Sequence, residues 1–291
     1  MFKRLVGALD GPQAHFFVHV DRKSSQADFE TGCQMGTITF ERDRLWVNHC
    51  GYTQVLAMLR LLELANSTDE FDYFIFLSGR DYPIKSNAYI LKYLTEHKGT
   101  NFISFYPLVG DAEFSRAIRH RFFIDELTGL PSVVRKPIKA CVFLINMVLP
   151  SRKFVNEMIP YRGSTSWCLT GDTAKYIVEF ARSEKNQRFV EYFRRSFSPD
   201  EMFFQTVVLN SAFARQCRFY ERDVVEGRSP LKNENLAYLH YIDWSKDRED
   251  PALLDMRDYE SIKRSEALFA RKFSESTSKE VLDQIDRYLR R

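Results

Sequence analysis

The sequence predicts an α/β fold with a mostly parallel central sheet flanked by helices. Short β-rich runs alternate with helical patterns through the first 110 residues, which is typical of a parallel sheet. The run Phe74–Leu77 is apolar without interruption, as expected of a strand that is buried on both faces. Hydrophobic residues make up 44% of the 291 positions, so the chain can bury a large core. We therefore expect a single domain over 1–291.

Each further element follows from its own local pattern. Strands are predicted where β-branched and aromatic residues cluster, at 15–20, 36–40, 102–106, 167–169 and 238–244. Helices are predicted where apolar residues recur at helical spacing, at 53–65, 87–94, 173–182, 188–195, 200–209 and 278–289.

The apolar run 140–149 allows two interpretations. It is far shorter than the roughly 20 residues of a membrane span, which favours a buried core helix. The second interpretation is a peripheral membrane contact through 135–153, because cations surround the run. These cations are Arg135, Lys136, Lys139, Arg152 and Lys153.

Composition argues against several classes of protein. The formal net charge of +3 is too small for a nucleic-acid scaffold, and we expect no nucleic-acid partner. The cysteines are odd in number and widely spaced without a Cys-x-x-Cys pair, which argues against a zinc site and a disulfide framework. No signal peptide opens the chain, so we expect a cytoplasmic protein with buried thiols. The cysteines are Cys33, Cys50, Cys141, Cys168 and Cys217.

The motif Ser198-Pro199-Asp200-Glu201 precedes a run that is apolar nearly all round. As local structure it is a helix start, with Ser198 as N-cap and Pro199 at the first helical position. Glu201 follows the cap by three residues and can bond back to the Ser198 amide as a capping box. A carboxylate at the mouth of a buried helix can also face a cleft and transfer protons, so both interpretations stay open.

Two polar loops follow predicted strands, and each carries an Asp beside a cation. They are Asp21–Ser24 and Ser78–Tyr82. Ligands of open α/β sheets bind beyond the carboxyl ends of the strands. By this analogy of fold, the loops predict a nucleotide or sugar-nucleotide pocket.

Five strings in order resemble the core-2/I-branching β-1,6-N-acetylglucosaminyltransferase family, which includes the peptide O-xylosyltransferases. The resemblance implies a GT-A-like fold, a UDP-sugar donor, and inverting transfer to a hydroxyl of a glycan, polysaccharide or protein. Ser-Pro-Asp-Glu is similar to the branching enzymes, and Phe-Ala-Arg-Lys-Phe is similar to the xylosyltransferases. The five strings are Val18–Ser24, Phe76–Ser86, Gly163–Thr170, Ser198–Glu201 and Leu268–Phe273.

The resemblance assigns the chemical step to Glu201 as general base. A carboxylate within about 3 Å of a sugar hydroxyl can take its proton during attack. The sequence contains no Asp-x-Asp string, and the resemblance implies a family that works without a metal or other cofactor. In its place, Lys272 with neighbouring Arg271 is expected to stabilise the departing diphosphate. Lys272 by itself would read as a solvated surface cation.

The resemblance also implies a second phosphate-binding arginine, and His240 stands at that place. Its role then falls to His240, to Arg271 or to Arg248, and the alternative for His240 is a buried strand histidine.

The nucleoside is expected to meet residues of the first half of the chain. Asp21 matches the family aspartate that contacts uridine, and the alternative is an Asp in a strand-end turn. His49 falls where the family places an aromatic ring over the nucleotide. Arg80 and Asp81 are expected to shape the pocket floor, with a structural ion pair as the alternative.

The acceptor is expected to meet residues of the second half. Trp167 is a candidate for stacking on a sugar face, and a core tryptophan is the alternative. Arg119 and Arg121, with Arg116, lie in the region where the family keeps acceptor-binding cations.

The resemblance divides the domain into a nucleotide-binding half, 1–110, and an acceptor-binding and catalytic half, 111–291. In the family the domain begins with a strand and helix ahead of Phe2, and that strand is not evident here, so we expect either a truncated start or a pocket that is open on that side. The disulfide-forming cysteines of animal branching enzymes are not evident, which favours a bacterial-type member; a Golgi location applies if the chain is a truncated eukaryotic form.

The sequence thus predicts a metal-independent inverting glycosyltransferase that uses UDP-GlcNAc or, as the second choice, UDP-xylose. The alternative is a catalytically impaired relic of the same fold that binds nucleotide or carbohydrate.

Overall fold

The computed structural model describes residues 1–31, 37–108, 112–155, 157–245, 248 and 251–291, with the side chains of 112–115 set aside. The first part of the strand predicted at 36–40 and Cys33 lie outside the described residues. The described residues form an α/β structure, which confirms the predicted fold class.

Six of the helices in the described residues follow the predicted periodic segments closely, namely those that begin at Tyr52, Asn87, Gly171, Gln187, Phe203 and Lys279. The bounds of the described helices are α1 (Phe2–Leu9), α2 (Ala27–Glu30), α3 (Tyr52–Thr68), α4 (Asn87–Glu96), α5 (Ala112–Arg119), α6 (Ile124–Leu127), α7 (Ser132–Val148), α8 (Gly171–Arg182), α9 (Gln187–Phe193), α10 (Phe203–Leu209), α11 (Arg222–Val225), α12 (Glu234–Ala237), α13 (Tyr259–Arg264) and α14 (Lys279–Tyr288). Short 3-10 helices occur at Glu184–Asn186, Pro199–Glu201, Ala212–Gln216 and Met256–Asp258.

The strands are short and belong to several small sheets. Their bounds are β1 (Phe16–Val18), β2 (Ile38–Phe40), β3 (Tyr73–Ile75), β4 (Tyr82–Pro83), β5 (Phe102–Ile103), β6 (Tyr106–Pro107), β7 (Tyr161–Arg162), β8 (Trp167–Thr170), β9 (His240–Ile242) and β10 (Phe269–Arg271).

Strand pairing differs from the predicted mostly parallel sheet. Among the described residues, β1–β2 and β9–β10 pair in parallel, whereas β4–β10, β3–β8, β5–β8 and β6–β7 pair antiparallel. Strand β3 has its partner almost 100 residues along the chain, with Phe74 opposite Leu169. A local pattern identifies a strand but not its partner, so the predicted direction was wrong for the central β3–β8–β5 sheet.

The largest hydrophobic core surrounds α10. All seven residues of this helix are buried, as its apolar sequence predicts. The ring of Phe203 lies 5.4 Å from that of Phe189 and 5.5 Å from that of Phe193, which belong to α9. Helices α3 and α8 also contribute to this cluster, so α10 is held on several sides.

The predicted core helix at 140–149 is wrong as to burial. The run lies on α7, a helix in which no described side chain is buried. Asn146 fixes the helix through a polar contact, because its amide bonds both the N–H and the carbonyl of Arg121. The apolar residues are consequently left on the outer side, with Val148 83% exposed. Within the described ranges, every helix falls short of the length and apolar character that crossing a bilayer requires.

A cavity of about 1420 Å³ lies between β1 and β3. These two strands do not pair with each other within the described part of the chain. Apolar side chains of both strands line the cavity, and Asp21, Ser78 and Gly79 contribute polar groups. The two polar loops predicted to border a pocket therefore do meet one cavity.

We expect Phe203→Ala to lower the free energy of unfolding by about 3–5 kcal/mol, because it removes a buried ring from the center of the core. Phe143→Ala on α7 is the matched control, since its ring is 65% exposed and the expected change is within about 0.5 kcal/mol. Urea unfolding of both variants measures the difference. Equal losses would contradict the outward orientation of α7.

Candidate active site

Glu201 ends a 3-10 helix at Pro199–Glu201, immediately before α10. The predicted capping box is wrong, because the Ser198 amide donates to the Cys50 carbonyl at 3.0 Å. Ser198 itself has a left-handed backbone, with φ of 47°. The Glu201 carboxylate turns instead to Arg162 on β7, a contact that a local motif cannot predict.

Arg162 binds only one of the two Glu201 oxygens. Its Nε and Nη2 both donate to Oε2, at 2.9 and 2.5 Å. Among the described residues, Oε1 therefore has no protein donor. The side chain of Glu201 is 30% exposed, so Oε1 can reach a molecule that enters the site. The result is an oriented carboxylate with one oxygen available.

The main chain beside Arg162 also fixes Glu201. The Gly163 amide donates to the Glu201 carbonyl at 2.8 Å. A Cβ at Gly163 would lie 2.0 Å from the Ser104 carbonyl oxygen, so only glycine fits this close approach. The backbone of the motif Ser198–Glu201 is thus bound to a strand end that tolerates no side chain.

Asp200 is the buried neighbour of Glu201. Its Oδ2 accepts hydrogen bonds from Thr165 Oγ1 at 2.9 Å and from Gln54 Nε2 at 3.4 Å. Burial, together with the negative charge of Glu201, raises the pKa of Asp200 to about 6. Two adjacent carboxyls therefore differ: Asp200 is enclosed and favours its proton, whereas Glu201 is paired with a cation and is accessible.

His49 lies in an exposed loop next to this motif. The carbonyl of the following residue, Cys50, accepts a hydrogen bond from the Ser198 amide. The electrostatic effect of His49 lowers the pKa of Asp200, against the larger effect of burial. The loop is anchored by Asp125, which accepts hydrogen bonds from Asn48 and Thr53. His49 therefore borders the carboxylate pair, and its predicted contact with a nucleotide stays a prediction.

Arg271 and Asp81 form an ion pair, with Nε and Oδ1 3.4 Å apart. Asp81 is fully buried and accepts the Ser78 amide, which supports the structural interpretation of this residue. Arg80 is exposed, and its carbonyl accepts the Phe273 amide at 2.9 Å. The polar loop after β3 and the Arg271-Lys272 segment are thus joined, and their predicted contact with a ligand stays a prediction.

The predicted phosphate contact of His240 is wrong in this structure. The side chain is completely buried on β9, where its ring stacks on Phe269. Its Nδ1 lies 2.7 Å from the Tyr238 carbonyl, and burial lowers the pKa of the imidazole. A neutral, enclosed ring can neither reach nor neutralise a diphosphate. The plain alternative, a buried strand histidine, is therefore confirmed.

Arg248 is bound by carboxylates of the protein itself. Its guanidinium donates to Asp258 at 2.6 Å and to Asp243 at 2.9 Å, and it lies 3.8 Å from Asp255. Three carboxylates surround this cation, so little positive charge is left for a ligand. The other two predicted phosphate cations, Arg271 and Lys272, are half-buried, and their contact with a diphosphate stays a prediction.

Asp21 lies in a strand-end turn at the edge of a cavity, and its predicted contact with uridine stays a prediction. It borders the cavity between β1 and β3. Its carboxylate also accepts the Lys23 amide at 3.0 Å and lies 3.3 Å from the Lys23 ammonium, as in a strand-end turn.

Trp167 is buried on β8, and its ring packs 5.5 Å from Phe76 and 5.4 Å from Phe204. This burial contradicts the predicted stacking on an acceptor sugar and confirms the core alternative. Arg119 is exposed, whereas the guanidinium of Arg121 donates to the Pro150 carbonyl just beyond α7. These arginines lie at the foot of α7, and their contact with an acceptor stays a prediction.

Sequence reasoning missed Arg162, Thr165 and Gln54 as partners of the two carboxyls. Arg162 directly precedes the string Gly163–Thr170, and Thr165 belongs to it, so this string was the sequence signal that could have identified both residues. In the described part of the chain, no group of three His, Cys, Asp or Glu side chains gathers in an arrangement that could hold a metal ion. Metal independence stays a prediction.

None of the cysteines among the described residues forms a disulfide. Cys168 and Cys217 are buried, and burial raises the pKa of both thiols, as expected of structural cysteines. Cys141 on α7 is exposed, which contradicts the prediction of buried thiols for that residue.

Comparison with known proteins decides the family. The sequence model of the Core-2/I-branching enzyme family matches residues 1–264. The chain belongs to the Core-2/I-branching enzyme family. Membership confirms the resemblance and puts the chain among glycosyltransferases; four of the five strings lie within the matched residues, and Leu268–Phe273 lies beyond them.

Similar curated proteins are xylosyltransferases. Mouse xylosyltransferase 1 is 22% identical over 99% of this chain and 29% of its own length. Chimpanzee xylosyltransferase 2 is 25% identical over 99% of this chain and 32% of its own length. Xylosyltransferase oxt of Drosophila pseudoobscura is 22% identical, over 98% and 31%. The chain spans about a third of the length of these relatives.

We expect Asp200→Asn to change the pH dependence of stability. A carboxyl whose pKa is raised on folding stabilises the fold while protonated, and this stability is lost as the pH rises from about 4 to about 6. The variant lacks this loss, so its free energy of unfolding relative to wild type should rise by roughly 3 kcal/mol between pH 4 and pH 7. Urea unfolding across this range measures it, with exposed Asp172→Asn as the control. If the difference in free energy of unfolding between Asp200→Asn and wild type did not change with pH, the burial of an unpaired charge would be contradicted.

Proposed function

We propose that this member of the family is an inverting glycosyltransferase that moves a sugar from a UDP-sugar to a hydroxyl of a glycan, polysaccharide or protein without a metal ion. The observation that carries the proposal is the geometry of Glu201. Its Oε2 is fixed by Arg162, and its Oε1 is available at an accessible edge of the core.

Glu201 is suited to act as the general base. As the acceptor oxygen attacks the anomeric carbon, the bond from that carbon to the diphosphate oxygen breaks, and the hydroxyl proton passes to Oε1. A single displacement of this kind inverts the anomeric carbon and needs one base. Asp200 is the less suitable of the two carboxyls, because it is enclosed and its Oδ2 is bonded to Thr165.

Arg162 has a positioning role in this proposal. Its fork restrains the rotamer of Glu201, so that little reorientation is needed when the acceptor arrives. The ion pair also stabilises a charged carboxylate beside the enclosed Asp200. Once Oε1 has taken the proton, solvent at the exposed edge can remove it for the next turnover.

Lys272 and Arg271 are the proposed cations for the departing diphosphate. The peptide that follows Lys272 is fixed, because the Leu254 amide donates to the Lys272 carbonyl and the Phe273 amide donates to the carbonyl of Arg80. A cation on a fixed backbone can stabilise developing phosphate charge without reorganisation. The ion pair with Asp81 orients Arg271 in the same way.

The proposed donor is UDP-GlcNAc, with UDP-xylose as the second choice. The motif Ser198–Glu201 supports the first, and the names of the similar xylosyltransferases support the second. Asp21, at the cavity between β1 and β3, is the proposed contact for uridine. A screen of UDP-sugars that measures release of UDP separates the two donors.

One observation favours a second candidate function, a relic that binds nucleotide or carbohydrate but does not turn over. The residue at the place of the family's second phosphate-binding arginine is the buried, uncharged His240. Diphosphate binding would then depend on Arg271 and Lys272 alone.

We expect Glu201→Gln to lower kcat by about 10²–10⁴-fold while the affinity for UDP stays near that of wild type, because the amide keeps the shape but takes up no proton. Turnover is measured by UDP release with the donor found in the screen, and affinity by calorimetry with UDP. The control is Glu179→Gln, an exposed position on α8.

Near-normal turnover of Glu201→Gln, together with an inactive Asp200→Asn, would move the base to Asp200. If the wild-type protein bound UDP but produced no UDP from any donor in the screen, the result would support the second candidate function, a protein that binds without turnover.

We expect Lys272→Ala to weaken UDP binding at least tenfold, since it removes a cation proposed to contact the diphosphate. The loss should be much smaller for uridine, which lacks the phosphates. Thermal shift with UDP and uridine measures both, and Lys263→Ala on α13 is the exposed control. Wild-type turnover in excess EDTA is expected to be unchanged. Loss of turnover with chelator, restored by added magnesium, would contradict the metal-free part.

A further inference from the structure

The outer side of α7 is apolar along its whole length. At about 100° per residue, Val133, Leu144, Met147 and Val148 fall on one side of the helix. Val133 is 77% exposed, and the other three are exposed as well. The opposite side carries Asn146, whose amide bonds the main chain of Arg121 at 2.8 and 2.9 Å. The apolar side is therefore held outward by the contacts of the polar side.

The charged residues of the segment 127–155, which contains α7, all have one sign. Between residues 127 and 155 the sequence contains five Lys and Arg and no Asp or Glu. The net charge of the whole chain is +3, so all other residues together carry −2. Lys136 and Lys139 lie on the helix beside the apolar side, and exposed Lys153 follows its end. An excess of positive charge is thus found in the segment that contains the exposed apolar side of α7.

We propose that α7 binds the surface of a bilayer that contains anionic lipids. The apolar side enters the boundary between headgroups and acyl chains, while Lys136, Lys139 and Lys153 contact lipid phosphates. A helix of 17 residues is about 25 Å long, which suits a helix that lies in the plane of the interface. This proposal does not depend on the proposed function, because none of its residues takes part in the chemistry.

Charge favours a bilayer over a second copy of the chain as the occupant of this side. Two copies that met through α7 would bring two clusters of five cations together, and like charges oppose such a contact. An anionic lipid surface supplies both complementary charge and an apolar phase. Arg152 belongs to the attachment of the helix instead, since its guanidinium bonds the Arg195 carbonyl at 2.9 Å and lies 3.6 Å from the ring center of Tyr192.

Flotation of the whole protein with vesicles tests the proposal. We expect binding to vesicles of phosphatidylcholine with about a quarter phosphatidylglycerol at low salt, and at least tenfold less binding to phosphatidylcholine alone. Leu144→Glu with Val148→Glu should lower binding at least tenfold, whereas Tyr288→Glu, at an exposed position on α14, should not. Lys136→Glu with Lys139→Glu should remove the preference for anionic lipid, and Lys175→Glu with Lys185→Glu is the matched control.

Two further measurements keep the result interpretable. Leu144→Trp retains an apolar side chain, and its emission should shift to the blue on binding and be quenched by brominated lipid. Light scattering gives the oligomeric state in the absence of lipid. Failure of wild type to bind anionic vesicles, or unchanged binding of Leu144→Glu with Val148→Glu, would overturn the proposal. So would a dimer that this double variant converts to a monomer, because a second copy would then cover the apolar side.

Discussion

The ion pair of Arg162 with Glu201 is the interaction on which the candidate site depends. Both guanidinium contacts go to one oxygen, so the pair orients the carboxylate without occupying it. The pair in turn depends on a glycine, because Gly163 lies against the Ser104 carbonyl and donates to the carbonyl of Glu201. A half-exposed ion pair contributes little to stability by itself. Its contribution here is orientation, since it restrains the carboxylate proposed as the base, two residues ahead of a completely buried helix.

The two neighbouring carboxyls acquire different properties from different surroundings. Asp200 is enclosed by Thr165, Gln54 and the core, and burial favours its protonated form. Glu201 is exposed on one edge and has a cation on the other. A site that needs one base and one structural carboxyl can obtain both from adjacent residues when one side chain turns inward and the next turns outward.

Sequence predicted the parts of the structure that local pattern determines, and it failed where a distant residue decides. The strand near Phe74 and the buried helix after Met202 follow from uninterrupted apolar runs, although the strand is Tyr73–Ile75 and is half-buried where burial on both faces was predicted. The capping box failed because Arg162, almost 40 residues away, supplies a stronger partner for Glu201. The burial of His240 and Trp167 could not be decided from the sequence, because burial is a tertiary property. The predicted burial of the run 140–149 on α7 was wrong, because apolar content alone does not show which side of a helix is covered.

The cation segment and the carboxylate pair belong to one continuous framework. Asp81, the partner of Arg271, lies on the loop after β3, and the Phe76 amide at the start of that loop donates to the Trp167 carbonyl at 3.0 Å. Trp167 begins β8, and two residues earlier Thr165 holds Asp200. A nucleophilic displacement requires that the base and the group receiving the leaving charge keep a constant separation. Because strands and buried side chains connect the two ends, the fold itself can supply that constancy, which a bridging ion supplies in enzymes that hold their leaving group with a metal.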